Sequence, residues 1–257
     1  SYSVKRSDTT EAVWLETTDY STIVEAGIEN IQDKADRRSS FENILELVLL
    51  LAGEMPFFDA LTTSFGTAGT GGFGIKNDSL ASFSPYVQRV TTVFMLLFGV
   101  NFNLYYLIFL KRARAAVRSE ELHWYLGIVA ASVIGIAVNI LPRYESAFQA
   151  LRYAFFQVSS IVTTTGYATA DFDLWPTFSK VILVILMFVG ACASSTGGGL
   201  KVSRVIILIK TAFREIRHQI NPREVRAVRC DDTPVTTTVA YGVTSYFAIY
   251  MLLLFGS

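Results

Sequence analysis

The chain has 257 residues, and its 22 Lys and Arg balance its 22 Asp and Glu, so the formal net charge is zero. Hydrophobic residues make up 51% of the chain, and the mean hydropathy is +0.40. This composition excludes an ordinary soluble domain and fits a membrane protein, while the neutral balance argues against a nucleic-acid partner. Two cysteines provide no disulfide framework, and we interpret Cys192, inside an apolar run, as a small packing residue.

The N-terminal part of the chain, residues 1–40, is polar and has no apolar core of a signal peptide. We interpret it as a surface helix with a tail. The first apolar run, Phe41 to Gly53, is interrupted by Glu42 and Glu46 and is shorter than the about 20 residues that span a bilayer. It is predicted to be a truncated or tilted helix.

A first hairpin follows. Pro56 to Gly66 is amphipathic, too short to span, and leads into the sequence Thr-Gly-Gly-Phe-Gly at positions 70–74. Val90 to Leu110 is long enough to span the membrane, contains Asn101, and ends in a basic cluster at positions 111–118.

A second hairpin has the same order. Leu122 to Leu141 is predicted to span, and Ser146 to Val162 is a second short amphipathic segment that leads into Thr-Thr-Gly-Tyr-Ala at positions 164–168. Phe178 to Cys192 and Leu200 to Phe213 are apolar runs separated by a Gly-rich break. After a basic segment, Thr236 to Phe255 is the last predicted span.

The two Gly-containing motifs align without gaps at an offset of 94 residues, which pairs Gly72 with Gly166 and aromatic Phe73 with aromatic Tyr167. Thr70 pairs with Thr164 at the same offset. The basic clusters flank the hairpins, whereas the connections that carry the motifs have few Lys or Arg. By the positive-inside rule, both hairpins therefore enter from the cytoplasmic side, and the motif loops face outside.

These loops have the chemistry of a cation selectivity filter. A dehydrated cation needs oxygen ligands, and backbone carbonyls supply them without a full charge, while glycine lets the backbone turn them inward. The preceding short helices would point their partly negative C-terminal ends toward the ion. A pair of Gly-containing turns is the alternative. The candidate carbonyls, with Phe73 and Tyr167 as supporting aromatics, belong to Thr70, Gly71, Gly72, Thr164, Thr165 and Gly166.

The Gly-rich break is the second candidate site. Three consecutive glycines disfavour a helix by roughly 1 kcal/mol each, and a helix broken inside a membrane marks a cavity or a moving part. We interpret the break as a gate loop below the filter, with a helix-packing notch as the alternative. Its residues are Ser194, Ser195, Thr196, Gly197, Gly198 and Gly199.

Three nearby polar residues have more than one interpretation. Lys201 and Arg204 are predicted to extend to the cytoplasmic interface, with a role in holding the gate loop as the alternative. Asn101 either faces the pore or bonds to a neighbouring helix. No metal cluster, catalytic triad or phosphate-binding loop stands out, so we predict no enzyme, and a transported cation at the filter is the expected metal.

Three stretches carry a resemblance to the Trk/Ktr/HKT superfamily of potassium transporters, most closely its bacterial TrkH/KtrB branch. They are residues 56–74, 163–172 and 190–201, of which the last is especially specific. Asn221-Pro222-Arg223 also resembles the basic cytoplasmic linker of the family. The resemblance implies an all-α plasma-membrane protein, with helix–pore-loop–helix repeats around a pseudo-fourfold pore.

The resemblance also assigns parts to the chain. Residues 1–40 are not family-like; residues 41–118 correspond to the second repeat, 119–230 to the third, and 231–257 to the first helix of the fourth. It implies a homodimer in membrane lipid that binds a cytoplasmic nucleotide-binding regulatory subunit of TrkA/KtrA type. Because the first repeat is missing and the fourth is incomplete, we expect a fragment, or the product of a disrupted gene, that does not conduct alone unless two chains pair.

The predicted function is K⁺ uptake through a carbonyl filter that the Gly-rich loop gates. A non-conducting membrane interaction subunit is one alternative. A secondary transporter of a small solute is another, and it would require inverted repeats, whereas the charge rule gives both hairpins the same direction.

Overall fold

The computed structural model describes residues 40–111, 113–220, 228–231 and 233–256. The surface helix predicted near the N-terminus and the linker at residues 221–223 lie outside these residues. Chain contacts define one unit over Ser1–Phe41 and a second over Glu42–Ser257. The second unit contains both motif loops and the Gly-rich break, and its described part is built almost entirely of helices.

Ten α-helices, two 3-10 helices (Leu141–Arg143 and Phe172–Leu174) and one small hairpin make up the described chain. The first helix, α1, covers residues 40–52. The others are α2 (Phe57–Ala68), α3 (Pro85–Phe98), α4 (Phe102–Phe109), α5 (Ala113–Val117), α6 (Glu120–Ile140), α7 (Ala147–Val162), α8 (Thr177–Val189), α9 (Val202–Ile220) and α10 (Thr237–Gly256). Strands β1 (Arg229–Cys230) and β2 (Thr233–Pro234) form an antiparallel pair between α9 and α10.

Local sequence explains where several helices begin. Ser84 accepts a hydrogen bond from Val87 N, and Pro85 occupies the first turn of α3, where its missing N–H is not needed. Ser146 caps α7 in the same way, through Gln149 N at 3.2 Å. The helix α2 starts after Pro56. The short pore helices α2 and α7 agree with the sequence prediction to within two residues.

The core lies around α7. This helix packs between α6, α3 and α8, and α6 also packs against α8 and α9. The larger buried cluster joins α6, α7 and α8 through aliphatic side chains such as Ile136, Ala154 and Leu186. A second cluster, which includes Leu50, Met95 and Tyr167, joins residues of α1, α2, α3 and α7 to the second motif loop.

Two described helices are long and apolar enough to cross a membrane: α6 with its following turn, Glu120–Arg143, and Thr237–Leu254 in α10. The span predicted from Val90 to Leu110 corresponds to the helix pair α3 and α4, which together are long and apolar enough to cross a membrane but are not one straight helix. The chain bends by 91° between α3 and α4, because the helix is interrupted at Gly99, Val100 and Asn101. The helix α8 is apolar but shorter than a span, and it ends at the predicted Gly-rich break.

Candidate functional site

The two motif loops leave their pore helices with the same backbone conformation. The residues that end α2 and α7, Gly69 and Thr163, have φ, ψ values of −82°, −1° and −86°, −2°. The next residues, Thr70 and Thr164, are left-handed, with φ values of 50° and 58°. Two positions later φ is again positive, 62° at Gly72 and 92° at Gly166, a conformation that glycine adopts without strain.

The hydrogen bonds of the two loops correspond as well. Gly71 N donates to Gly66 O at 2.8 Å, and Thr165 N donates to Ser160 O at 2.9 Å. The bond from Thr70 N to Thr67 O, 3.1 Å, has its counterpart 94 residues later in a 3.0 Å bond from Thr164 N to Ile161 O. The sequence repeat is therefore also a structural repeat.

The two loops approach each other directly. A Cβ atom built on Gly72 would lie 1.9 Å from Thr165 O and 3.1 Å from the carbonyl carbon of Gly166. Such a contact is impossible for a side chain, so the first loop needs glycine both for its φ and for the close approach. The six candidate filter residues thus lie in two backbone segments in contact.

The two supporting aromatics differ in their surroundings. Tyr167 is fully buried, and its hydroxyl donates to Thr63 O in the first pore helix at 3.1 Å. The Tyr167 carbonyl accepts from the Ser160 hydroxyl at 2.6 Å. Phe73, its counterpart at the 94-residue offset, is 84% exposed. The second loop is anchored on the first repeat, whereas the Phe73 ring is largely uncovered.

The Gly-rich loop lies against both motif loops. Gly198 N donates to the Thr164 hydroxyl at 2.6 Å, and the Thr70 hydroxyl donates to Thr196 O at 3.1 Å. A Cβ atom on Gly197 would lie 3.0 Å from Thr163 O. One threonine from each repeat is thus hydrogen-bonded to the loop, so the structure brings all the predicted site segments together.

The contacts of Lys201 favour the second of its two interpretations. Its ammonium donates to Ser195 O, at 3.4 Å, and to Gly197 O. Breaking a helix leaves carbonyls without partners, and a nearby ammonium satisfies them. The guanidinium of Arg204 lies over the Tyr246 ring of α10, 4.3 Å from its centre. Lys201 thus bonds to the loop, which is the alternative of its two predicted roles.

The break between α3 and α4 is the main feature that sequence reasoning missed. It bonds to the Gly-rich break: Cys192 N donates to Gly99 O at 3.0 Å, and Phe102 N donates to Ser194 O at 3.1 Å. Asn101 caps α4 by accepting from Asn103 N at 3.0 Å. The sequence signal for this break was Gly99 followed two residues later by Asn101, a residue type that caps helices, inside an apolar run.

The side-chain amide of Asn101 donates to Glu121 of α6 at 3.0 Å. Of its two predicted roles, facing the pore or bonding to a neighbouring helix, the structure shows the second. Glu121 was not identified from the sequence, although it accepts from Ala193 N in the Gly-rich break as well. Cys192 is fully buried, which agrees with its predicted packing role.

A polar junction lies on the side predicted to be cytoplasmic. Lys210 of α9 pairs with Glu120 of α6 at 2.5 Å and donates to Arg229 O of β1 at 2.7 Å. Asp231 accepts from Glu120 N at 2.5 Å. Partial burial, and then the negative charges of Glu120 and Asp231, raise the pKa of the Cys230 thiol above its ordinary value.

Several proteins of known identity are similar in sequence to most of this chain. A protein 35% identical over 211 residues is the Trk system potassium uptake protein TrkH of Salmonella typhimurium; the match covers 80% of this chain and 43% of that protein. TrkI of Halomonas elongata is 29% identical over 216 residues, covering 83% and 44%. The chain spans less than half the length of these relatives.

A solved structure has the same fold. The crystal structure of the potassium transporter TrkH from Vibrio parahaemolyticus superposes with a TM-score of 0.78 and 31% identity, covering 82% of this chain and 46% of that one. The family model described as TrkH, cation transport protein, matches residues 13–129 and 122–257. Its match starts inside the segment 1–40, which we had not expected to resemble the family. The chain therefore belongs to the TrkH family of cation transport proteins, which are integral proteins of the plasma membrane.

Proposed function

We propose that this chain forms part of a K⁺ uptake pathway across the plasma membrane, in which backbone carbonyls select the ion and a Gly-rich loop gates it. The observation that carries the proposal is the structural repeat of the two motif loops. They share left-handed residues at Thr70 and Thr164 and equivalent hydrogen bonds, and they touch at Gly72 and Thr165. The names of the relatives, which are potassium uptake proteins, support the choice of K⁺.

The proposed filter consists of the carbonyls of residues 70–72 and 164–166. Carbonyl dipoles replace the water of a dehydrated cation without binding it too tightly. The gate is the loop at residues 194–199. Its hydrogen bonds to Thr70 and Thr164 support this role, because a loop in contact with both repeats lies where it would obstruct an ion leaving the filter.

In the proposed whole protein, four such repeats surround one pore, and this chain supplies the second and third. The isolated chain, with two of four filter segments, is then expected not to conduct. A membrane subunit that only binds partners remains the alternative for the isolated chain. A transporter with inverted repeats is less well supported, because the charge pattern gives both hairpins one direction.

The partners proposed for the whole protein follow the family resemblance: surrounding lipid, a second copy of the protein, and a cytoplasmic nucleotide-binding regulatory subunit. The basic segment that begins at Arg214 and Arg217 lies on the side predicted to be cytoplasmic. Its positive charges suit contact with an acidic surface or with anionic lipid.

Rubidium uptake by the four-repeat protein in liposomes tests the proposal. Gly166→Asp is expected to reduce uptake at least tenfold, because it places a carboxylate at the filter. A side chain at position 166 has room but is strained by the φ of 92°. Gly166→Asn, which carries the same strain without the charge, is therefore the matched control and should reduce uptake less, and Asn77→Asp adds the same charge in the exposed part of the first loop. Uptake unchanged by Gly166→Asp would contradict the filter assignment.

A further inference from the structure

Glu121 is an unusual residue for its place in the chain. It lies in the first turn of α6, where Glu120 beside it is partly exposed and pairs with Lys210. Glu121, in contrast, is only 5% exposed. A carboxylate is buried at little cost only if its oxygens accept hydrogen bonds. The groups that satisfy Glu121 therefore indicate what it does.

Each carboxylate oxygen of Glu121 binds a different broken helix. One oxygen accepts from the Asn101 amide at 3.0 Å, at the break between α3 and α4. The other accepts from Ala193 N at 2.6 Å, at the start of the Gly-rich break. These are charge-assisted hydrogen bonds, which are about twice as strong as neutral ones.

The bonds of Glu121 reinforce a junction that the backbone already forms. Ala193 lies between Cys192, which donates to Gly99 O, and Ser194, which accepts from Phe102 N. Loss of the carboxylate leaves the Ala193 N–H unpaired in a partly buried position. We therefore expect the loss of the carboxylate to weaken the neighbouring backbone bonds from Cys192 N to Gly99 O and from Phe102 N to Ser194 O.

Lys201 completes the arrangement from the other end of the loop. Its ammonium donates to Ser195 O and Gly197 O, and it is attracted to the Glu121 carboxylate. The Glu121 carboxylate thus accepts a hydrogen bond from an N–H at the beginning of the loop, while the Lys201 ammonium donates to carbonyls further along it. The positive end of the α6 helix dipole also favours a carboxylate at Glu121.

We propose that Glu121 is a positioning residue that latches the Gly-rich loop against the two motif loops. Its effect on ion flow rests on the proposed function. Its effect on the loop does not, since that follows from the hydrogen bonds alone. When the latch is removed, the far end of the loop should separate from Thr164.

Hydrogen–deuterium exchange of the purified chain in detergent tests the latch directly. The reporter is the Gly198 amide, which donates to Thr164 and not to Glu121. Glu121→Ala is expected to speed exchange at Gly198 at least tenfold, and Glu121→Gln, which keeps one acceptor, by less. Glu120→Gln is the matched control, because it removes the neighbouring carboxylate and should leave Gly198 unchanged.

The outcomes separate the latch from the proposed transport function. If exchange at Gly198 stays at the wild-type rate in a folded Glu121→Ala variant, or if only Ala193 exchanges faster in it, the latch is overturned. If Gly198 exchanges faster, the latch stands, and rubidium flux through the four-repeat protein carrying Glu121→Gln is expected to rise. Unchanged flux in that case would contradict the gate and not the latch.

Discussion

At the residue scale, the second motif loop depends on one contact between repeats. The Tyr167 hydroxyl lies where a side chain at position 66 would have to be: a Cβ atom on Gly66 would be 2.2 Å from it. The corresponding residue of the second repeat is Ser160, whose hydroxyl bonds to the Tyr167 carbonyl. Gly66 is thus small because the aromatic of the other repeat occupies its space.

We expect Gly66→Ala to destabilise the folded chain by about 1–3 kcal/mol, because the added methyl group displaces the Tyr167 ring. Tyr167→Phe alone loses one buried hydrogen bond, a cost of about 0.5–1.5 kcal/mol. The double variant should be less destabilised than the sum of the two, since removing the hydroxyl relieves the overlap. Thermal unfolding in detergent measures all three, and simple additivity would contradict the explanation.

At the scale of elements, two helices are broken and the breaks are bonded to each other. The Gly-rich break was predicted because three consecutive glycines disfavour a helix. The break after α3 contains one glycine, Gly99, and single glycines are common in membrane helices. Its sequence is therefore compatible with a continuous helix. What interrupts it is the pairing of Gly99 O and Phe102 N with the other break.

Deletion of residues 197–199 is expected to raise rubidium flux through the four-repeat protein several-fold, because it removes the part of the loop that bonds to Thr164 and to Lys201. Lys201→Met keeps the loop length and removes only the cation, so its increase should be smaller. Both variants are compared with wild type at equal protein content in liposomes. Lower or unchanged flux in a folded deletion variant would argue against the gate.

At the scale of the whole molecule, the unequal burial of the two aromatics is informative. Tyr167 packs on the pore helix of the preceding repeat, so by the same relation Phe73 would pack on the pore helix of a repeat before it. Phe73 is exposed, and so are Phe57, Phe58 and Phe65 on the neighbouring helix α2. Exposed aromatic side chains of this kind contact either lipid or another protein segment. A further repeat is the segment expected to cover them, since the chain spans less than half the length of its relatives.

If a further repeat covers Phe73, position 73 should be less accessible in the four-repeat protein than in the isolated chain. In a Cys230→Ser background, a cysteine at position 73 should react with a water-soluble maleimide in the isolated chain and at least tenfold more slowly in the four-repeat protein. Lys76→Cys, at an exposed polar position of the same loop, should react equally in both. Equal labelling at position 73 would show that no further repeat covers Phe73.

The sequence by itself determined the membrane class, the pore helices, the repeat at 94 residues and the Gly-rich break. These follow from local chemistry: apolar length, capping serines, and glycines that a regular helix disfavours. Only the tertiary structure decided which groups meet across the chain. Lys201 could reach the interface or the loop, and Asn101 could face a pore or a helix, until the positions of Gly197 and Glu121 were known. Such contacts join residues far apart in sequence, and buried polar groups take the partners that the packed helices place within reach.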